Sequence, residues 1–204
     1  MTRPRFDAAD AAQRLAACRR IAVLGSGGAG KSTLSRELAA LLDLPLHHLD
    51  QLFWLPGWQA RADAEWERIQ SEIVLAEHWV IDGNYSRTLD IRLARADGVL
   101  FLDLPREICL WRAFWRGVRL RGKVRPDLAA GCPEHFDLEF LQWIWRFPLR
   151  SRKGVLRRRA AAPLSQVWVV MRRPRDVRRL LAALRVARGA GTADGRGLPP
   201  AQGS

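Results

Sequence analysis

The stretch Gly25-Ser26-Gly27-Gly28-Ala29-Gly30-Lys31-Ser32-Thr33 constrains this chain more than any other part of it. An apolar run, Arg20-Ile21-Ala22-Val23-Leu24, leads in. Leu34, Leu38, Leu41 and Leu42 recur at helical spacing on the way out. A strand that turns through glycines into a helix points successive backbone N–H groups, and the positive end of the helix dipole, at one place. Gly25, four residues, Gly30-Lys31-Ser32 is the Walker A spacing in its required setting of strand before and helix after. Residues 25–33 are therefore expected to hold ATP. Lys31 is expected to span the β- and γ-phosphates, and the Ser32 hydroxyl to meet Mg2+.

Further strands are expected at 46–49, ending on Asp50, and at 79–82, 98–103 and 167–171, with helical periodicity at 62–77, 105–120, 136–147 and 174–186. Alternation of strand and helix predicts an α/β fold, a parallel sheet covered on both faces. Residues 1–19 are expected to be an N-terminal extension, forming a short helix or a loose segment. One domain is assigned to 20–186, with a helical lid subdomain over about 116–150. Residues 187–204, rich in Ala, Gly and Pro, are expected to be a disordered tail.

The charge is unevenly placed. Residues 1–105 carry 12 Lys and Arg against 14 Asp and Glu, whereas residues 106–185 carry 20 against 6. Such a field attracts nucleotides, phosphorylated metabolites or nucleic acid. Nucleic acid is the less favoured of these, because no helix-turn-helix, zinc finger or aromatic RNA-binding motif is present. No run of about 20 apolar residues is available to cross a bilayer. The three cysteines, at 18, 109 and 132, lack metal-ligand spacing. Together with the lack of an apolar leader segment, they suggest a cytoplasmic protein. Oligomeric state is left open.

Asp82 and Asp103 both end apolar strands, where a carboxylate emerges beside the phosphate loop. Either could hold the metal ion, and only one is needed. Asp50 ends the 46–49 strand in the same layer and is expected to orient an accepting hydroxyl. Arginines 87, 92, 112, 116, 119, 121 and 125 offer guanidinium groups for a migrating phosphoryl group, whose charge is stabilised by fixed cations and exclusion of water. Arg121, Lys123 and Arg125, following Arg112 and Arg116, suit a closing lid. Of the nine tryptophans, Trp66, Trp79, Trp111, Trp143 and Trp168 fall in apolar patterns and are expected to pack internally. Trp54 and Trp58 lie in a Pro-Gly turn, where they either anchor the turn or stack an acceptor. His47 and His48 precede Asp50, but no third ligand is spaced to complete a metal site with them.

Several of these segments resemble a known family. Gly25–Thr33, His48-Leu49-Asp50, Phe53-Trp54-Leu55-Pro56-Gly57-Trp58, Ile81-Asp82-Gly83-Asn84-Tyr85, Phe101-Leu102-Asp103-Leu104-Pro105, Arg125-Pro126-Asp127 and Gly131-Cys132-Pro133-Glu134 are similar to the DNA topology modulation, or FlaR-related, proteins, an adenylate-kinase-like branch of the P-loop proteins. The resemblance spans about residues 20–185. It implies a three-layer P-loop NTPase fold of the nucleoside- or shikimate-kinase kind, with a parallel sheet of about five strands. Carried over by motif, it favours Asp82 over Asp103 for magnesium and gives Arg87 a phosphate-binding role, although one extra residue separates Arg87 from Gly83. It also suggests Arg112 against adenine and Arg116 on phosphate, and places the loop Arg172–Arg175 near the base. The segment Asp50–Trp58 does not match the nucleoside-monophosphate pocket of adenylate kinases. Its Asp50 is more similar to that of shikimate- or gluconate-type kinases, which act on hydroxylated metabolites.

The function expected from this sequence is ATP- and Mg-dependent phosphoryl transfer to a small hydroxylated or nucleotide-like acceptor. The site assigned to it is Lys31, Asp50, Arg87, Arg116, Arg121 and Arg125 for transfer, residues 25–33 and Arg112 for nucleotide, and Ser32 and Asp82 for metal. A nucleotide-dependent regulatory protein and a DNA-associated NTPase are the alternatives.

Overall fold

A computed structural model describes residues 6–135 and 137–193. Helix α1 (Ala8–Ala16) is capped by the Asp7 carboxylate, which accepts from the N–H groups of Ala9 and Asp10. It is no loose extension, since Leu15 is fully buried and Ala11 and Ala12 pack in the same core cluster as the sheet. Strand β1 (Arg20–Gly25) follows, then α2 (Lys31–Leu42) and β2 (Leu46–His48). After β2 the chain turns at once into a short helix α3 (Leu49–Phe53), so Asp50 sits in the first turn of a helix and not at the end of a strand. A two-stranded hairpin, β3 (Trp54–Leu55) and β4 (Gln59–Ala60), holds the Pro-Gly turn between them.

The second part of the sheet is laid down by α4 (Asp63–Ile73), β5 (Trp79–Asp82), α5 (Leu89–Leu93) and β6 (Gly98–Leu102). Three helices come next, α6 (Arg106–Arg119), α7 (Leu138–Arg146) and α8 (Ser151–Ala160), before β7 (Val167–Met171) and α9 (Pro174–Ala193). The last helix continues past residue 186 to Ala193, which corrects the expected start of the tail; the rest of that segment, 194–204, lies outside the described residues. Residues 187–193 extend α9 despite Gly189 and Gly191 because helix once nucleated propagates at small cost per residue.

The main sheet has five parallel strands in the order β2-β5-β1-β6-β7. Apart from Arg20 and Asp82 at strand ends, its central strands carry no charged or polar side chain and are buried on both faces, as a covered parallel sheet requires. Two core clusters lie on opposite sides, one around Leu15, Val23, Leu100 and Leu180, the other around Leu24, Trp66, Trp79 and Phe101. The register pairs Val23 with Asp82, His48 with Asp82, and Gly25 with Leu102. The carboxyl ends of β2, β5 and β1 therefore finish together, and everything that follows them in the chain is gathered at that edge. Order reverses on either side of β1, the position at which open α/β sheets bind ligands.

Candidate active site

At the end of β1 the glycine loop takes backbone conformations that side chains resist. Gly28 has φ +73°, and a Cβ there would lie 2.1 Å from the Cys109 carbonyl oxygen of α6. Gly30, at φ +95°, caps α2. Gly27 lies under the Phe140 ring of α7, which would meet an added Cβ at 2.4 Å. Asn84 fixes the entrance of the loop: its side-chain oxygen accepts the Gly25 N–H at 3.0 Å and its amide donates to the Gly25 carbonyl.

Lys31 donates from Nζ to the Ser26 carbonyl at 3.2 Å. Burial pulls its pKa down, and the fields of Asp50 and Asp82 pull it partly back. A lysine so placed, with its charge poorly solvated, gains most from an arriving phosphate.

Asp50 faces the same space. Its Oδ1 accepts the Tyr85 hydroxyl at 2.7 Å. Burial, and then the Asp50 charge, raise the Tyr85 pKa far above its ordinary value, so the phenol stays a donor. Tyr85 is held there by an aromatic cluster, with ring centroids 4.8 Å from Phe53 and 4.9 Å from Trp66, and by a backbone φ of +33°. Arg92, expected among the phosphate-facing arginines, is fully buried and serves the backbone of this same turn, donating to the carbonyls of Gly83 at 2.7 Å and Asn84 at 2.6 Å.

Asp82 is buried behind the loop. One carboxylate oxygen lies 2.9 Å from His48 Nδ1, and Oδ2 has no partner. Asp103, the alternative metal residue, is taken up by Arg152 in a two-pronged pair at 2.6 and 2.8 Å and by Arg172 at 3.6 Å.

The segment between α6 and α7 folds over the loop. Arg116 and Arg125 converge on the buried Glu134, at 3.2 and 2.8 Å. Burial, then the neighbouring Arg125, lower the Arg116 pKa. Asp127, only 6% exposed, shares the cavity wall with Ser32. Although burial pushes its pKa up, Arg125 and Ser32 bring it below the ordinary carboxylate value. The segment is fastened to the β3–β4 hairpin: Gly57 N–H donates to the Gly131 carbonyl at 2.9 Å, Trp58 Nε1–H to the Pro133 carbonyl at 3.1 Å, and the Gln51 amide to the Pro126 carbonyl.

These walls enclose one cavity of about 1210 Å3. The glycine loop with Lys31, Ser32 and Thr33 lines it, as do Asp50, Tyr85, Arg112, Arg116, Arg125, Asp127, Trp54 and Trp58. Gly25, Ser26 and the expected metal residue Asp82 do not line it, and Arg87 and Arg121 are elsewhere. Arg87 is exposed and its charge is taken up by Asp63 and Glu67 of α4. Arg121 is exposed at the turn after α6 and does not line the cavity. Trp111, expected inside, is 64% exposed on the outer face of α6. Trp54 and Trp58 pack edge to face on each other in the hairpin and line the cavity.

Asn84, Tyr85, Asp127 and Glu134 were not assigned roles from sequence. They stand in segments already conspicuous there, Ile81–Tyr85, Arg125–Asp127 and Gly131–Glu134, and that was the available signal.

No family model matches this chain, and no curated protein matches it. Among solved structures, a shikimate kinase from Acinetobacter baumannii in complex with shikimate aligns over 91% of this chain and 99% of its own, with 16% identity and a TM-score of 0.51. A gluconokinase from Sinorhizobium meliloti aligns over 87% and 98%, with 17% identity and a TM-score of 0.47, too low to add to the argument. The shikimate kinase shares the three-layer P-loop fold with this chain. At that identity the likeness concerns the fold alone.

Proposed function

We propose that the protein transfers the γ-phosphoryl group of ATP to a hydroxyl of a small polar metabolite. One observation carries this reading: the phosphate loop and a carboxylate held by a tyrosine hydroxyl, Asp50, line one continuous cavity of about 1210 Å3. Ligand pockets are commonly about 300–1,000 Å3, so there is room for a nucleotide and a second molecule together.

In this reading the loop N–H groups and Lys31 bind the triphosphate, with Arg112 flanking the nucleotide. The acceptor lies between Asp50 and the Trp54–Trp58 wall. Asp50 accepts a hydrogen bond from its hydroxyl and takes the proton, the hydroxyl oxygen forms a bond to the γ-phosphorus, and the bond to the β–γ bridging oxygen breaks. Arg116 and Arg125 balance charge on the moving group, and Phe140 and the 120–135 segment keep water out. Their pairing with Glu134 sets the guanidinium planes in place at the cost of part of their field.

The donors on the cavity wall fit magnesium. Ser32 and Asp127 on that wall, and Asp82 buried behind the loop, are hard oxygen groups, and no cluster of three or more His, Cys, Asp and Glu side chains forms a separate metal site among the described residues. Magnesium there would neutralise phosphate charge, held by Ser32 with Asp82 behind it. The likeness of sequence segments to FlaR-related proteins names no chemistry, so the reading rests on the site.

Asp50→Asn is expected to leave ATP affinity within about twofold and to lower acceptor-dependent ADP release by about 10²- to 10⁴-fold, the usual size of a lost acid–base group. A panel of hydroxylated acids, sugars and nucleosides, assayed for ADP release with wild type, Asp50→Asn and Lys31→Ala, tests this. Stimulation by no acceptor, with equal slow hydrolysis in wild type and Asp50→Asn, would sink the proposal.

A further inference from the structure

Tyr85, Trp54, Trp58 and His135 all line the cavity. With Phe53 joining Tyr85 to Trp54, successive ring centroids lie 4.8, 4.9, 5.4 and 5.3 Å apart, so the rings form a continuous wall from the Asp50–Tyr85 hydrogen bond to the segment after α6. Trp54 and Trp58 meet edge to face at 70°, which leaves no parallel slot between them for a flat base. The face of an aromatic ring carries partial negative charge, so it attracts C–H groups and cations and repels anions. Charged groups at this end of the cavity act in the same sense. Arg116 and Arg125 are paired at 3.2 and 2.8 Å with Glu134, next in the chain to His135, and Arg125 also with Asp127 at 3.6 Å. Arg92 is taken up by the carbonyls of Gly83 and Asn84, and Arg87 by Asp63 and Glu67. Lys31 and Arg112 donate to the phosphate loop itself, at the Ser26 and Ala29 carbonyls. Asp50 is left with a tyrosine hydroxyl and no ion pair among the described residues.

We propose that the acceptor is a sugar-class ring, neutral or carrying an amine, which Trp54 and Trp58 select by stacking on its C–H face and which Asp50 engages through one hydroxyl. The proposal narrows the transfer reading above and rests on it. The reaction is the same: the sugar oxygen bonds to the γ-phosphorus, its proton goes to Asp50, and ADP leaves. A carboxylate on the same ring would instead meet Asp50, the indole faces and the γ-phosphate, and would reach Arg116 or Arg125 only by breaking a pair with Glu134. An ammonium group is drawn to Asp50 and to the indole faces alike.

Rings that differ only in one charged group supply the test. The full chain, with magnesium and ATP labelled in its γ-phosphate, is assayed against glucose, glucosamine and glucuronate, against galactose, galactosamine and galacturonate, and against ribose, shikimate and adenosine. A neutral or amino sugar is expected to accept label with a kcat/KM about 10-fold or more above that of the acid of the same ring, the effect of one uncompensated like-charge contact. Trp58→Ala is expected to raise the KM of that sugar about 3- to 10-fold with much less effect on the KM of ATP, and Trp58→Phe, which keeps a ring, to recover most of the loss. Transfer to an acid or to adenosine in preference to every neutral and amino sugar would overturn the proposal and leave the transfer reading standing. Equal rises in the two KM values with Trp58→Ala would make the indole a support of the hairpin alone, and would overturn it too. Label appearing only as inorganic phosphate, whatever compound is added, would sink the transfer reading and this inference with it.

Discussion

Lys31 shows how one residue's surroundings prepare it for its work. Burial lowers its pKa, so between the lowered value and 10.5 the folded chain holds fewer protons on it than the unfolded chain does. Stability from this group therefore rises with pH across that window and is flat below it. Phosphate oxygens arriving at Nζ reverse the shift, so ATP binding is expected to take up protons at alkaline pH. Calorimetry in two buffers of different ionisation enthalpy measures that uptake, and Lys31→Met should abolish it. Binding with no proton uptake at any pH would mean the lysine does not meet the triphosphate. The identity of this lysine was plain in the sequence because its neighbours in space are its neighbours in the chain. Arg87 was misassigned for the opposite reason: Asp63 and Glu67 lie 20 or more residues away, and nothing local marks them as its partners. Asp127 and Glu134 stand in segments that carried the family resemblance, but their pairing with Arg116 and Arg125 depends on how the segment after α6 folds back.

Among the elements, the glycine loop and α6 act as one unit. The Cys109 carbonyl approaches Gly28 so closely that a methyl group cannot enter, and the φ of +73° penalises any side chain as well. Gly28→Ala is expected to destabilise the fold by about 3 kcal/mol or more through combined overpacking and backbone strain. Chemical denaturation read by circular dichroism measures it, and a loss of less than about 1 kcal/mol would show that α6 does not rest on the loop. Cys109 itself is a buried thiol whose pKa burial raises to about 11, consistent with a packing role. Strands and long helices were legible from their periodicity, since the core clusters use the residues that made the pattern. Element ends were less so: α3 begins where a strand was expected to finish, because Leu49 continues into the core as a helical residue. The aromatic pattern of α6 misled about Trp111, since a helix covered on only one face can still carry tryptophan on the other.

For the molecule as a whole, the five-stranded sheet sets two chemistries at one edge. In the proposed reading, the triphosphate site follows β1 and the acceptor wall follows β2 and β5, and the α6–α7 segment lines the cavity with both. No helix among the described residues is long and apolar enough to cross a membrane. Carboxylates paired with arginines, Asp127 with Arg125 after α6 and Asp90 of α5 with Arg158 of α8, have a consequence for acid stability. The folded pKa values of Asp127 and of the more exposed Asp90 lie below their ordinary values. Their stabilisation is therefore complete above the unfolded carboxylate value of about 3.9 and is lost as pH falls through the lower folded values. Urea midpoints are expected to hold from neutral pH to about pH 4 and to fall below it, with Asp127→Asn flattening the fall. An acid-insensitive midpoint in wild type would contradict these two ion pairs. The most direct test of the central claim is mass spectrometry of a pool of nucleosides, sugars and hydroxylated acids incubated with the protein, magnesium and ATP labelled in its γ-phosphate. One hydroxylated compound gaining the labelled phosphate with wild type, and with neither Lys31→Ala nor Asp50→Asn, is the predicted result. Labelled inorganic phosphate as the sole product, or a phosphorylated compound formed equally by Asp50→Asn, would contradict it.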